Sequence, residues 1–172
     1  MERTIIEKLK AAVHKPLDYS EYDSSYTINR VNCYAHAIGA TSLHMGIRIG
    51  DICGKKEIMQ SYNSDEEVES LFLQDMNTLG INCKKLYIRK QYLLNWLSKT
   101  KLSPNYVVVI LFVDHNGDKS IRDFHFWRID SQKGITDKRP RQRLSQIDQP
   151  KYSWPASELN HFVGVYLLKK KR

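Results

Sequence analysis

No apolar run in this chain is long enough to cross a bilayer, which excludes a helical membrane span. The first residues, Met1-Glu2-Arg3-Thr4-Ile5-Ile6-Glu7-Lys8, lack the apolar core of a secretory signal. The expectation is a cytoplasmic protein, or an effector that reaches a host cell by a non-Sec route. Cysteine is scarce. Cys33, Cys53 and Cys83 are an odd number with no disulfide spacing, so a disulfide framework is excluded and a reducing compartment fits. There is no Cys-x-x-Cys pair, no internal repeat, no linker and no recognisable nucleic-acid-binding motif. These absences predict a single domain over residues 1–172, with a helix and approach loop over 1–31 and a basic tail over 169–172.

What is present is enough for a real core. The chain has 172 residues, 41% hydrophobic and 27% charged, which is a globular and not a disordered balance. Net charge is +8 and the pI is near 9.3. The excess gathers in Lys138-Arg139-Pro140-Arg141-Gln142-Arg143 and in Lys169-Lys170-Lys171-Arg172. Such clusters suit nucleic acid, anionic lipid or an acidic protein. Without a nucleic-acid motif they read as a solvated surface and a frayed tail, and the chain is expected to be a monomer.

Periodicity divides the chain. Residues 4–14 form an amphipathic helix on Ile5, Ile6, Leu9 and Val13, ended by Pro16. Residues 17–31 read as an extended approach loop carrying Tyr19, Tyr22 and Tyr26 as packing rings. A short helix follows from Asn32 to Gly39, then an irregular, glycine-containing loop over 45–54. Residues 64–79 are the clearest helix, with Ser64 and Glu67 as a capping box and Gly80 as the stop. A strand over 81–88 and a helix over 91–99 come next. Residues 106–113 are β-branched and suit a strand buried on both faces, with 121–130 as its hairpin partner. Residues 135–138 return along it, 144–157 read as loop, and 161–169 close the chain as a strand. Helices followed by antiparallel strands give an α+β architecture.

The chemistry centres on Asn32-Cys33-Tyr34-Ala35-His36-Ala37-Ile38-Gly39. A thiol at a helix start meets unsatisfied backbone N–H groups and the positive end of the helix dipole, which favour the nucleophilic thiolate. Asn32 can cap that helix. His125 lies mid-strand in Asp123-Phe124-His125-Phe126-Trp127-Arg128-Ile129-Asp130, and Asp137 follows 12 residues later. A cysteine nucleophile needs a base, and the base needs an orienting group. Cys33, His125 and Asp137 supply these in that order. The Cys33 N–H and an amide from Asn32 or Asn29 are the candidates to stabilise an oxyanion, and Trp127 is placed to shield the imidazole.

The remaining donors carry less. Cys33 and His36, with His44 and Cys53 nearby, could ligate zinc, but their spacing is irregular, so no metal or cofactor is expected. Cys83 reads as an inert strand residue, and Cys53 as a loop thiol with nothing to activate it. His36 is expected along the surface of its helix, His115 in a solvated turn, and His161 at the surface.

The blocks Asn32-Cys33-Tyr34-Ala35-His36-Ala37, Gly50-Asp51-Ile52-Cys53-Gly54, Asp123-Phe124-His125-Phe126-Trp127-Arg128-Ile129-Asp130, Gly134-Ile135-Thr136-Asp137-Lys138 and Phe162-Val163-Gly164-Val165-Tyr166 together resemble a group of bacterial and phage proteins. That group follows the pattern Asn-Cys-Tyr-x-Tyr-Ala, Pro-Gly-x-x-Ser-Gly, Asp-x-His-Phe-Tyr-Arg-x-Asp, Trp-Ser-His-Lys, Gly-Tyr-Phe. It resembles the papain-like cysteine hydrolase superfamily, near the NlpC-type amidases and bacteriocin-leader peptidases. The resemblance implies a nucleophile helix packed on a central antiparallel sheet, and thiol attack on an amide through an acyl-enzyme. Cys33 and His125 map onto nucleophile and base. Asp137 stands where the pattern has histidine, Ile49 where it has proline, Cys53 where it has serine and Ile135 where it has tryptophan.

The expected function is therefore a thiol hydrolase or acyltransferase acting on a protein or peptide amide, as a bacterial effector with a host target. The other expectation is a non-catalytic module of the same fold that holds an acidic partner through its basic clusters.

Overall fold

The structure, a computed structural model, describes residues 1–55, 62–139, 141–148 and 161–170. Among the described residues, five α-helices and six strands run in the order α1 (Arg3–Val13), α2 (Ser25–Arg30), α3 (Cys33–Ile38), α4 (Asp65–Thr78), β1 (Asn82–Leu86), α5 (Leu93–Lys99), β2 (Tyr106–His115), β3 (Ile121–Asp130), β4 (Gly134–Asp137), β5 (Ser145–Gln146) and β6 (Phe162–Lys169). The strands form one antiparallel sheet in the order β1-β6-β2-β3-β4-β5. The α+β expectation holds, with helices gathered toward the N-terminal half and the sheet mainly in the C-terminal half.

β2 explains the layering. Its alternate side chains enter two different cores. Val107, Val109, Leu111 and Val113 face α1, α3 and α4 through Leu9, Tyr34, Ile38 and Phe72. Val108, Ile110 and Phe112 face Leu93 and Leu97 of α5, with Trp127 and Ile129. Burial on both faces is why this stretch reads as a continuous β-branched run. Each large apolar side chain removed from water here contributes roughly 1.5–3 kcal/mol. β3 splits the same way, with Phe126 on the α3 side and Trp127 on the α5 side.

α3 is short and has no solvent face: all six of its residues are buried. Asn32 starts it, Oδ1 accepting from the Ala35 N–H at 3.0 Å. Gly39 ends it at φ +82°, a left-handed conformation that costs glycine nothing. α4 starts on Ser64, whose Oγ accepts from the Glu67 N–H. The Glu67 carboxylate reaches back to the Asn63 N–H at 2.6 Å, one residue earlier than the reciprocal bond of a capping box.

Asp75, buried in α4, organises the loop over 45–54. It accepts from the Gly50 N–H at 2.7 Å, the Cys53 N–H at 2.8 Å and the Tyr34 hydroxyl at 2.9 Å. One carboxylate thus fastens the loop to both α4 and α3.

Three expectations are corrected. Residues 17–31 are not an extended loop: a 3-10 turn over Tyr19–Asp23 and helix α2 occupy them. Asp18 caps the first and Ser24 the second, local side-chain bonds that a reading of apolar period passes over. Residues 145–146 pair with β4 instead of remaining loop, while 149–157 lie outside the described residues. The basic stretch after Asp137 is not uniformly solvated. Lys138 is buried, its Nζ donating to the carbonyls of Ile28 and Arg139. The tail residues 171–172 lie outside the described residues.

Candidate active site

β4 pairs with β3 only from Trp127↔Asp137 to Asp130↔Gly134. Beyond Trp127 β4 no longer pairs with β3, and His125 stands on that stretch. His125 and Asp137 are diagonal neighbours across the end of the ladder, within reach of each other's side chains. His125 Nε2 lies 2.6 Å from Asp137 Oδ1. The other Asp137 oxygen accepts from Arg139 Nε at 3.1 Å. The carboxylate is nearly sealed, with 3% of its side chain exposed.

Cys33 comes to the same place from α3. Its Sγ is 3.7 Å from the Phe124 carbonyl, one residue before His125, close enough for its side chain to act on the imidazole. With Nε2 on Asp137, Nδ1 is the ring nitrogen left for the sulfur. Burial disfavours a charged imidazole, but the hydrogen bonds and charges of Asp137 and Cys33 outweigh it. The His125 pKa is pushed up to about 10. Burial acts on Asp137 in the opposite sense to His125 and Arg139, which together hold its carboxyl below the usual range. These three residues, expected from sequence to act together, are brought together.

The amide candidates separate. Asn32 lines the cleft beside Cys33. Its Oδ1 faces two backbone N–H groups, Ala35 at 3.0 Å and Ile47 at 3.4 Å, and its Nδ2 donates to the Ile47 carbonyl at 2.8 Å. That pattern fixes the amide orientation and leaves one Nδ2 hydrogen. Asn29 is exposed and turns away, its Nδ2 bonded to the Ser25 carbonyl of its own helix. Trp127 does not shield the imidazole. It is fully buried on the α5 side against Phe112, with ring centroids 5.0 Å apart. Period two puts Trp127 on the His125 side of β3, but β4 and α5 cover that side from residue 127 onward.

The cleft has a volume of about 370 Å³. Asn32, Cys33, Phe124 and His125 line it, with Asp114, Asp123, His161, Arg139 and Gln142. His161 and His115, expected at the surface and in a turn, belong to a different arrangement. His115 closes β2, its Nε2 2.7 Å from Asp65 Oδ1 and its Nδ1 3.1 Å from His161 Nδ1. A signal for this existed in the sequence: His115 falls at the end of the strongest strand, so a ladder could carry it past the turn.

His36 does not lie along an exposed helix surface. It is fully buried, with Nδ1 on the Tyr22 hydroxyl and Nε2 2.9 Å from Thr136 Oγ1. It faces away from the Cys33 sulfur, toward β4. Cys53 and Cys83 are partly buried, and burial, with nearby carboxylates, pushes their thiols up to about 11 and about 12. Tyr19 and Tyr22 pack as expected, while Tyr26 is exposed. Among the described residues no group of three or more His, Cys, Asp or Glu could hold a metal ion, and no helix is long and apolar enough to cross a membrane.

The chain matches no family model, and no curated protein and no solved structure matches it.

Proposed function

We propose that the chain is a papain-like thiol hydrolase or acyltransferase that cleaves or transfers an amide, with Cys33 as nucleophile, His125 as base and acid, and Asp137 as the group that orients the ring. One observation carries this reading: a cleft lined by a cysteine at a helix start and by an imidazole that is paired with a carboxylate and acted on by that cysteine. A thiolate–imidazolium pair is the resting state such an arrangement favours.

The Cys33 sulfur attacks the amide carbonyl, forming a C–S bond. His125 gives its proton to the departing nitrogen as the C–N bond breaks. The acyl-enzyme is then opened by water or another acceptor, which gives its proton to His125 and releases the thiolate. In the α3 first turn, Asn32 satisfies the Ala35 N–H and the Asn32 carbonyl accepts from His36. The Cys33 and Tyr34 N–H groups keep no intrahelical partner. With the second Nδ2 hydrogen of Asn32, they are the donors nearest the developing oxyanion. Arg139 holds the outer oxygen of Asp137, so the carboxylate cannot swing from the ring. The substrate is a protein or peptide, acted on in the cytoplasm or in a host cell.

A basic face that binds an acidic partner has less support. Lys138 is buried and Arg139 is tied to Asp137, so the cluster loses two of its cations to the fold.

The test is the pH profile of Cys33 alkylation by iodoacetamide in a Cys53→Ser, Cys83→Ser background. Rapid labelling well below the ordinary thiol pKa of about 8.5, abolished by His125→Ala, is the expected result. An ordinary thiol profile indifferent to His125→Ala overturns the proposal.

A further inference from the structure

Three residues outside the Cys33–His125–Asp137 group form a second chain of contacts that ends in the same cleft. Asp65 opens α4, His115 closes β2, and His161 stands just before β6. Asp65 Oδ1 is 2.7 Å from His115 Nε2, and His115 Nδ1 is 3.1 Å from His161 Nδ1. The rings lie 5.1 Å apart, centroid to centroid.

The hydrogen positions follow from the donor inventory. An ionised carboxylate only accepts, so His115 carries its proton on Nε2. In a neutral ring the other nitrogen is then bare, so His115 Nδ1 accepts. The facing His161 Nδ1 must donate, which leaves Nε2 of a neutral His161 as a bare acceptor. Among the described residues that nitrogen has no hydrogen-bond partner. His161 lines the cleft, so Asp65 reaches through two rings to fix what the cleft wall offers.

Position gives the distance at which this acceptor is used. The His161 carbonyl accepts from the Val113 N–H on β2, and Val113 pairs with Phe124 on β3. Phe124 is the residue whose carbonyl meets the Cys33 sulfur. The His161 backbone is therefore two strand spacings from the Phe124 backbone, about 10 Å. An extended lysine side chain from a carbonyl at the thiol, a hydrogen bond from its ammonium and the His161 ring together bridge such a gap. Two carboxylates stand along the way, Asp114 and Asp123, directly paired across β2 and β3. Asp114 spends Oδ2 on Arg122, and Asp123 spends Oδ1 on the Phe124 N–H at 2.8 Å, so each keeps one oxygen.

We infer that His161 is a specificity residue of this cleft, held by His115 and Asp65 as a hydrogen-bond acceptor for the ammonium group of a lysine side chain in the substrate. The inference rests on the reading of the cleft as a substrate site. His115 and Asp65 act through His161 and are positioning residues.

The experiment needs no thiol chemistry, so its outcome is independent of the alkylation test. Protein labelled with ¹⁵N-histidine is studied by imidazole NMR at alkaline pH, where histidine is ordinarily neutral. His161 is expected as the Nδ1–H tautomer, and both His115→Phe and Asp65→Ala release it from that form. Nα-acetyl-lysine N-methylamide is then titrated against its norleucine counterpart. The lysine probe is expected to shift the His161 signals with an affinity about tenfold higher, or 1.4 kcal/mol. His161→Leu removes that preference, and His161→Gln, which keeps an acceptor, retains most of it. An Nε2–H tautomer in the unmodified protein, or equal affinity for the two probes, overturns the inference whatever Cys33 does.

Discussion

Asp137 meets His125 two residues beyond the last rung of the β3–β4 ladder, Oδ1 to Nε2 at 2.6 Å. β4 ends there, and the imidazole is paired by a side chain. The pairing has a pH signature. The His125 pKa rises from 6.5 to about 10 on folding, so its contribution to stability is complete below about pH 6.5 and is lost as pH rises toward 10. Asp137 is held below its ordinary 3.8, so its contribution is present above that value and is lost as pH falls through its folded value. Asp137→Asn is expected to destabilise the fold by about 3 kcal/mol between these limits, the cost of breaking a buried pair. Urea unfolding of both proteins across pH should show the difference shrinking toward both ends. A constant difference from acid to alkali would mean that the pair is not ionised.

Asn32 makes a second prediction. Its Oδ1 caps α3 and its Nδ2 ties the helix start to Ile47. Asn32→Ala loses both, at about 1–2 kcal/mol. Asn32→Asp keeps the cap but removes the donor to Ile47, so it should recover only part of the loss. Because the cap sets the position of Cys33, both variants should also slow Cys33 alkylation, Asn32→Ala more than Asn32→Asp. Thermal unfolding and labelling rates measured on the same samples check the pairing of the two effects.

The third prediction concerns Asp75, whose three donors leave no room for an amide N–H. Asp75→Asn turns a donor toward another donor and should cost about 2–3 kcal/mol. The loop over 45–54 should then exchange its Gly50 and Cys53 amides faster. Burial first, and the Asp75 charge second, push the Cys53 thiol up to about 11. Removing that charge should move Cys53 labelling to lower pH in a Cys33→Ser, Cys83→Ser background. Unchanged labelling would separate Cys53 from the carboxylate.

How much of this was legible in sequence depends on the range of the interaction. Residues 106–113 and 64–79 announce themselves because period and caps are local properties, and the structure places β2 and α4 there. Cys33, His125 and Asp137 stand out by residue type and order, and a helix start, a strand middle and a returning hairpin bring them near one another. Asn29 and Asn32 could not be separated, because which amide faces the cleft depends on where Ile47 returns. Alternation puts Trp127 on the His125 side of β3, but the covering of that side by β4 and α5 is tertiary. The chain from Asp65 to His161 joins residues 96 positions apart, and no local pattern marks it.

His36 supplies the last prediction. Thr136 donates its hydroxyl to the Arg128 carbonyl, so it accepts from His36 Nε2–H, and the bare Nδ1 accepts from Tyr22. The ring is thus a neutral bridge between α3, β4 and the turn before α2. Burial, followed by the charges of Arg128, Lys138 and His125, holds its pKa well below 6.5. Unfolding exposes a histidine that binds a proton more readily, so stability should fall as pH drops below about 6.5. His36→Gln cannot titrate. It keeps a donor and an acceptor at some loss in packing, and should be less stable near neutrality by about 1–2 kcal/mol. The gap to the unmodified protein should narrow as the solution is acidified, because only the latter must resist protonation. Denaturant midpoints of the two proteins from neutral to mildly acidic pH measure that convergence, and parallel curves would show that His36 is not the buried neutral group.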